Sequence, residues 1–249
     1  MRSTSEATMH TIQGKWVNLP VSDGTSMRAY VARPTDLATA PALLVFQEIF
    51  GVNGHIREIC ERFAMDGFTA MAPELFHRTA PGFITAYDNH TPGQEEAAKL
   101  AFPDLEEDFR AAADWFAADS QTGSRKLGSI GFCMGGRMSF LAATTLPLAC
   151  SACFYGGNIP QHLDRLDHLQ SPLLLVWGAK DEGIPPEQRQ ALEDALLAAK
   201  KSYLAVCFEE AGHGFFCDQR ASYDSDAARL AWPLALDFLR KYLDPDARE

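Results

Sequence analysis

Six residues, Gly131-Phe132-Cys133-Met134-Gly135-Gly136, constrain this 249-residue chain more than any others. They lie between Leu127–Gly131, an apolar run that reads as a buried strand, and a helical stretch that begins near Met134. Glycines two before and two after a central residue are what a very sharp strand-to-helix turn requires. The central backbone is strained, and side chains at the flanking positions would hold strand and helix apart. Such a turn lifts its central side chain above the sheet and aims the next backbone N–H, that of Met134, at the same region. With six cysteines and 18 glycines, composition supplies only about 0.03 such arrangements by chance. The pattern is a nucleophile elbow with cysteine in the place usual for serine.

The rest of the chain supplies a sheet for that turn to stand on. Trp16–Pro20 and Met27–Ala32 flank Ser22-Asp23-Gly24 and read as an antiparallel hairpin. Ala42–Phe46, Phe68–Ala72, Cys150–Tyr155, Leu173–Trp177 and Tyr203–Phe208 read as further strands. Amphipathic stretches separate them: Ile56, Ile59, Cys60 and Phe63 at helical spacing and closed by Gly67, then a face of Leu105, Phe109, Ala112, Ala113 and Phe116. Asp104 and Glu107 form a D-x-x-E start for the second of these, and Pro185-Pro186 opens a helix carrying Leu192, Ala195, Leu196 and Ala199. The last helix runs from about Asp224 to Tyr242, with Pro233 placed to kink it. Arg78 to Gln94 reads as a long loop, the kind that in compact domains often carries function. This alternation predicts one α/β domain over residues 1–249, with a mostly parallel doubly wound sheet, an N-terminal antiparallel hairpin and helices on both faces; residues 1–12 are expected to be poorly ordered.

Composition narrows the partners. A net charge of −11 excludes a basic nucleic-acid surface and repels anions at long range, so an anionic substrate would need local arginines. No run approaches the ~18 apolar residues of a membrane span, and Met1 to Trp16 lacks the apolar core of a signal peptide. The expected address is cytoplasmic, and the six cysteines read as reduced thiols. Cys150 and Cys153 form a C-x-x-C, but strand alternation sets them on opposite faces, which favours two small core residues over a redox pair.

A nucleophilic thiol wants an imidazole, and the imidazole wants a carboxylate to orient it. On this kind of sheet the order along the chain is nucleophile, acid, histidine, each just past a strand end. Asp181 follows the strand Leu173–Trp177 in the loop Gly178-Ala179-Lys180-Asp181, where its alternative role is a turn or cap residue. His213 follows Tyr203–Phe208 and sits between Gly212 and Gly214; His162 and His168 fall in a polar stretch after Gly156-Gly157 and read as solvated surface.

Together these residues resemble the dienelactone hydrolase (carboxymethylenebutenolidase) family of the α/β-hydrolase fold. The likeness runs through Gln47-Glu48-Ile49-Phe50-Gly51, Ala72-Pro73-Glu74-Leu75-Phe76-His77-Arg78, the cysteine elbow, Gly178-Ala179-Lys180-Asp181 with Pro185, and Gly212-His213-Gly214-Phe215. The resemblance implies that Cys133 attacks a lactone carbonyl, His213 is the base and Asp181 orients it. It implies an oxyanion hole from the backbone N–H groups of Ile49 and Met134. It gives Glu48 a special part, contacting the resting thiol, keeping it neutral and helping to deprotonate it as substrate binds. Arg78 matches the family's carboxylate-gripping arginine; without the resemblance it reads as a loop arginine in a salt bridge. The type enzymes carry a second such arginine four residues past the histidine, where this chain has Cys217, which leaves Arg220 as the nearest candidate. Tyr155, at a strand end near the elbow, either lines the pocket or packs in the core. The expected function is hydrolysis of a small, acidic lactone or ester of the dienelactone type, giving maleylacetate in aromatic catabolism. No metal or cofactor is expected, and the expected state is a monomer or small homo-oligomer. Two alternatives stay open: a general carboxylesterase or thioesterase, and a non-catalytic member of the fold sensing redox through Cys133.

Overall fold

The computed structural model describes residues 9–123 and 125–244. Eight strands form one sheet: β1 (Ile12–Pro20), β2 (Ser26–Pro34), β3 (Ala42–Phe46), β4 (Thr69–Pro73), β5 (Leu127–Phe132), β6 (Ser151–Phe154), β7 (Leu173–Gly178) and β8 (Tyr203–Phe208). Their order across the sheet is β1-β2-β4-β3-β5-β6-β7-β8. β1 and β2 form the hairpin, β2 pairs antiparallel with β4, and all the remaining pairs are parallel. This is the α/β-hydrolase architecture. The central strands β3 to β7 are buried throughout except at Leu127, the first residue of β5, as strands covered on both faces must be.

Six helices cover the sheet: α1 (Gly54–Met65), α2 (His90–Ala98), α3 (Phe102–Ala118), α4 (Met134–Thr145), α5 (Pro186–Ala198) and α6 (Ser225–Leu243), with a 3-10 helix at Ile159–His168. Successive residues of β5 tell the two faces apart. Gly128 lies against Leu243 of α6, so closely that a Cβ would approach Leu243 Cδ1 to 2.9 Å. Its neighbour Ser129 points the other way and hydrogen-bonds Ser139 of α4 at 2.8 Å and Ser151 of β6 at 2.9 Å. That buried hydroxyl chain, each bond worth about 1 kcal/mol, ties the elbow helix to the two strands beneath it. On the other face α1 meets α6: the Phe63 and Trp232 rings lie 4.5 Å apart, and Arg240 reaches Asp66 at 3.1 Å.

Helix ends follow local chemistry. Asn53 accepts from Ile56 N at 3.2 Å to start α1, which closes on Gly67 at φ 94°. Asp224 accepts from Asp226 N and Ala227 N (3.1 and 3.0 Å) to start α6, which continues through Pro233 without being divided. The expected D-x-x-E start of α3 is displaced. That helix begins at Phe102 with Pro103 in its first turn, so Asp104 lies inside the turn and favours the helix dipole instead of capping it. The expected loop ends early, because His90–Ala98 is helical; Pro92 falls in the first turn, where proline is tolerated. Of the N-terminal stretch expected to lack order, residues 1–8 lie outside the described residues. Thr11 O already accepts from Thr35 N at 2.8 Å, and β1 begins at Ile12. Among the described residues no helix is long and apolar enough to cross a membrane.

Candidate active site

The carboxyl ends of β3, β5, β6, β7 and β8 share one edge of the sheet, where parallel sheets carry their chemistry. At the tip of β5, Cys133 has φ 57° and ψ −120°, a strained conformation for a residue with a Cβ. The flanking glycines are required by contact. A Cβ on Gly131 would sit 1.9 Å from Gly135 O, and one on Gly135 would sit 2.1 Å from Phe46 O. The second contact presses the elbow against the end of β3, bringing Glu48 and Ile49 beside Cys133 and Met134. Cys133 N donates to Phe154 O at 3.0 Å, which fixes the turn to β6. Among the described residues neither Ile49 N nor Met134 N donates to a protein acceptor, so two backbone donors stand free beside the thiol.

The acid and the imidazole come from two loops that meet at Gly178. A Cβ there would strike Ala211 O at 2.3 Å, and Lys180 N donates to that same carbonyl at 2.9 Å. Crossing at this point brings Asp181 Oδ2 to 2.7 Å from His213 Nδ1. The other Asp181 oxygen accepts from Gly183 N at 2.9 Å, so the carboxylate is held at both ends. Burial pulls His213 down, but its hydrogen bonds to Asp181 and to the Cys133 thiol win and raise it to about 10. Asp181 and His213 therefore form one hydrogen-bonded pair on which the Cys133 thiol acts, with the Tyr155 ring 5.2 Å from the imidazole.

Glu48 is completely buried, and its Oε1 is held by Arg220 Nη1 at 2.9 Å. Burial pushes its carboxyl above the ordinary carboxylate range, while Arg220 and His213 oppose the rise. Its second oxygen has no hydrogen-bond partner, and neither does the buried hydroxyl of Tyr155. Arg220 gets there because Gly214, at φ 74°, leaves room: a Cβ would lie 2.2 Å from Arg220 Nη1. Arg220→Gln should cost about 3 kcal/mol of unfolding free energy at pH 8, because it leaves a buried carboxylate without its counter-charge. Glu48 takes up a proton more readily folded than unfolded, and more so without Arg220. Its contribution to stability is therefore present below the unfolded value near 4.5 and is lost as pH rises through the folded value. The gap between wild type and Arg220→Gln should thus shrink toward pH 5, as urea melts at the two pH values would read.

Arg78 is not brought to this cluster, contrary to the expectation. Its Nε donates to Asp23 at 2.7 Å, Nη1 to Asp108 at 2.8 Å and Nη2 to Asp104 O at 3.4 Å, so every guanidinium nitrogen is engaged elsewhere. The loop it begins reaches the site through Tyr87 instead, a residue the sequence reading passed over. Tyr87 accepts from Asn53 Nδ2 at 2.9 Å, packs on Phe50 at 4.7 Å and, with Phe50, flanks the Arg220 guanidinium. An aromatic side chain in a mostly polar loop, which also carries Phe83 and Ile84, was the available signal. Tyr155 is fully buried and its ring faces the imidazole. Cys150 and Cys153 are free and buried. One group of potential metal donors exists among the described residues, His55, Cys217 and Asp218, whose ligand atoms lie within 4.8 Å of one another. That is looser than a zinc shell, and the charges of Arg62 and Arg220 both act on His55 against a cation.

The sheet, the cysteine elbow and the Asp–His pair at the ends of the last two strands are those of the α/β-hydrolase class, and the relatives make this an ester or lactone hydrolase. The chain belongs to the dienelactone hydrolase family, whose model matches residues 27–243. It is 33% identical over 229 residues to the carboxymethylenebutenolidase of Pseudomonas putida, spanning 90% of this chain and 94% of that one. A Synechocystis protein provisionally named a carboxymethylenebutenolidase is 34% identical over 229 residues, or 87% and 92% of the two chains. A solved structure from Klebsiella pneumoniae subsp. pneumoniae, provisionally named a dienelactone hydrolase, superposes with a TM-score of 0.86 at 34% identity, covering 94% of this chain and all of that one.

Proposed function

We propose that this hydrolase opens a small lactone or ester bearing a carboxylate through a thioester on Cys133. The observation that carries the reading is a strained cysteine whose thiol acts on an imidazole that Asp181 holds at 2.7 Å. The sulfur attacks the carbonyl carbon while His213 takes or already holds the thiol proton. The carbonyl oxygen gathers charge against the amides of Ile49 and Met134. The ring C–O bond breaks, and the leaving oxygen takes the proton from His213. Water, deprotonated by His213, then cleaves the thioester and restores the thiol. The free oxygen of Glu48 and the free hydroxyl of Tyr155 support a polar cavity beside the nucleophile. The Glu48–Arg220 pair supports a resting charge arrangement that an entering substrate anion would disturb. The relatives' names point to carboxymethylene-substituted butenolides, with maleylacetate as product.

The test is a hydrolysis screen of acidic and neutral lactones and esters with reduced protein, before and after one equivalent of iodoacetamide. Turnover of at least one acidic lactone or ester is expected, with loss in proportion to the Cys133 alkylated. Turnover that survives complete alkylation of Cys133 removes the thiol mechanism.

A further inference from the structure

The elbow helix carries a cation at the end of a helix that least favours one. Arg137 is four residues past Cys133, and side chains four apart stack on one helix face and lean toward the N-terminus. Cys133 itself is the N-cap, outside the helical backbone, but its charge acts on the Arg137 guanidinium, which places the two near each other. Burial pulls the guanidinium below the ordinary arginine value, while the charge of Cys133 acts the other way. Among the described residues it has no hydrogen-bond or ion-pair partner, and its nitrogens are not sealed off from solvent. The other arginines here are occupied: Arg220 by Glu48 (2.9 Å), Arg165 by Glu106 and Thr144 (3.1 and 3.2 Å), and Arg78 by Asp23 and Asp108 (2.7 and 2.8 Å). A partly buried cation without a counter-ion, beside the positive end of a helix, costs stability unless an anion joins it.

The surroundings form the rest of a subsite. After β6 the chain turns through Tyr155 and Asn158, both at positive φ (37° and 63°), which lays the 3-10 helix over the start of α4. Gly156 permits the approach, since a Cβ there would come within 3.0 Å of Arg137 N. His162 sits in the kink of the 3-10 helix; burial, then the charge of Arg137, hold its imidazole below the ordinary value. It is therefore neutral at pH 7, which leaves a single positive charge.

We infer that Arg137 and His162 form an anion subsite on the 3-10-helix side of Cys133, which takes a substrate carboxylate. One planar fork and one neutral imidazole suit a singly charged, planar anion better than a dianion. The inference deepens the hydrolase reading above and rests on Cys133 being the nucleophile. It replaces the grip expected of Arg78 with one from the nucleophile's own helix.

The experiment compares alkylation of Cys133 by iodoacetate and by iodoacetamide, read by mass spectrometry of the Cys133 peptide. The ratio of the two rates cancels any change in the thiol's own reactivity. Arg137→Gln should lower the iodoacetate-to-iodoacetamide ratio about tenfold, and Arg137→Lys should recover part of it. Arg110→Gln, an equal change in net charge on the exposed face of α3, should hold the wild-type ratio. In wild-type protein propionate, a monoanion, should slow alkylation by iodoacetamide and propionamide should not, a result that needs no variant to fold. Equal ratios in wild type and Arg137→Gln, or equal protection by propionate and propionamide, overturns the subsite. Failure to turn over any ester or lactone refutes the hydrolase reading, while the alkylation ratio still decides the subsite.

Discussion

Cys133→Ala is expected to lower kcat by about a million-fold on whichever ester or lactone the enzyme turns over best, the scale seen when a triad hydrolase loses its nucleophile. What remains should be the modest acceleration from the amides of Ile49 and Met134, which bind the carbonyl oxygen whatever stands at position 133. Cys133→Ser should recover little of the loss, even though the glycine pattern then reads as an ordinary serine elbow. A thiol gives up its proton near neutral pH, and this imidazole, held by Asp181, readily keeps one. A hydroxyl must lose its proton within the transition state, beside a buried carboxylate at Glu48 that opposes negative charge on oxygen. Stopped-flow or long-time product assays on the two variants read the effect directly. Near-wild-type turnover by Cys133→Ser would refute the coupling of Glu48 to the nucleophile.

Asp181→Asn is expected to reduce kcat by about 10,000-fold with little change in the fold. The carboxylate does two jobs through one 2.7 Å bond: it selects the tautomer of His213 and stabilises the charged ring. Asparagine can keep the contact only by donating to or accepting from a neutral ring, which favours the wrong tautomer. The Gly183 N–H that now binds Asp181 still holds an amide oxygen in place, so the loss is chemical and not a collapse of the loop. The second readout is His213 itself. NMR titration should find its wild-type value well above the ordinary imidazole range, falling back toward about 6.5 in Asp181→Asn. A value that does not move would mean that Asp181 has no hold on the ring.

What the sequence made legible follows from how local each constraint is. The elbow could be read because two glycines answer to clashes within a few residues of themselves, Gly131 on Gly135 most of all. Asp181 and His213 could be read because the fold fixes which strand ends they follow, and Glu48 only through the family resemblance. Arg78 could not be read this way. A long side chain in a loop pairs with whatever the tertiary structure brings near, here Asp108 and Asp23, 30 and 55 residues away along the chain. Arg220, named from the sequence as the nearest candidate, shows in the structure why the spacing shifted. Two successive turns, Cys217 N to Gly214 O and Arg220 N to Cys217 O (3.1 Å each), fold the segment back on itself. Residue 220 thereby reaches the carboxylate, while Cys217, at the expected spacing, does not supply the cation. The 3-10 helix and α2 escaped notice because a kink at His162 and a Pro-Gly pair blur any helical period.

The crossing at Gly178 has a consequence for how activity arises during folding. It locks Asp181 and His213 into one piece built on β7 and β8, while the thiol and its free amides belong to another built on β3 and β5. The two pieces are joined across the sheet by β6 alone, through Phe154 O on one side and Tyr155 N to Val176 O, 2.7 Å, on the other. Until that four-residue strand is zipped in, the sulfur has no base and the base has no sulfur. A chain in which β6 has not paired is therefore expected to lack turnover, and activity regained during refolding, followed beside β6 protection in hydrogen exchange, checks this.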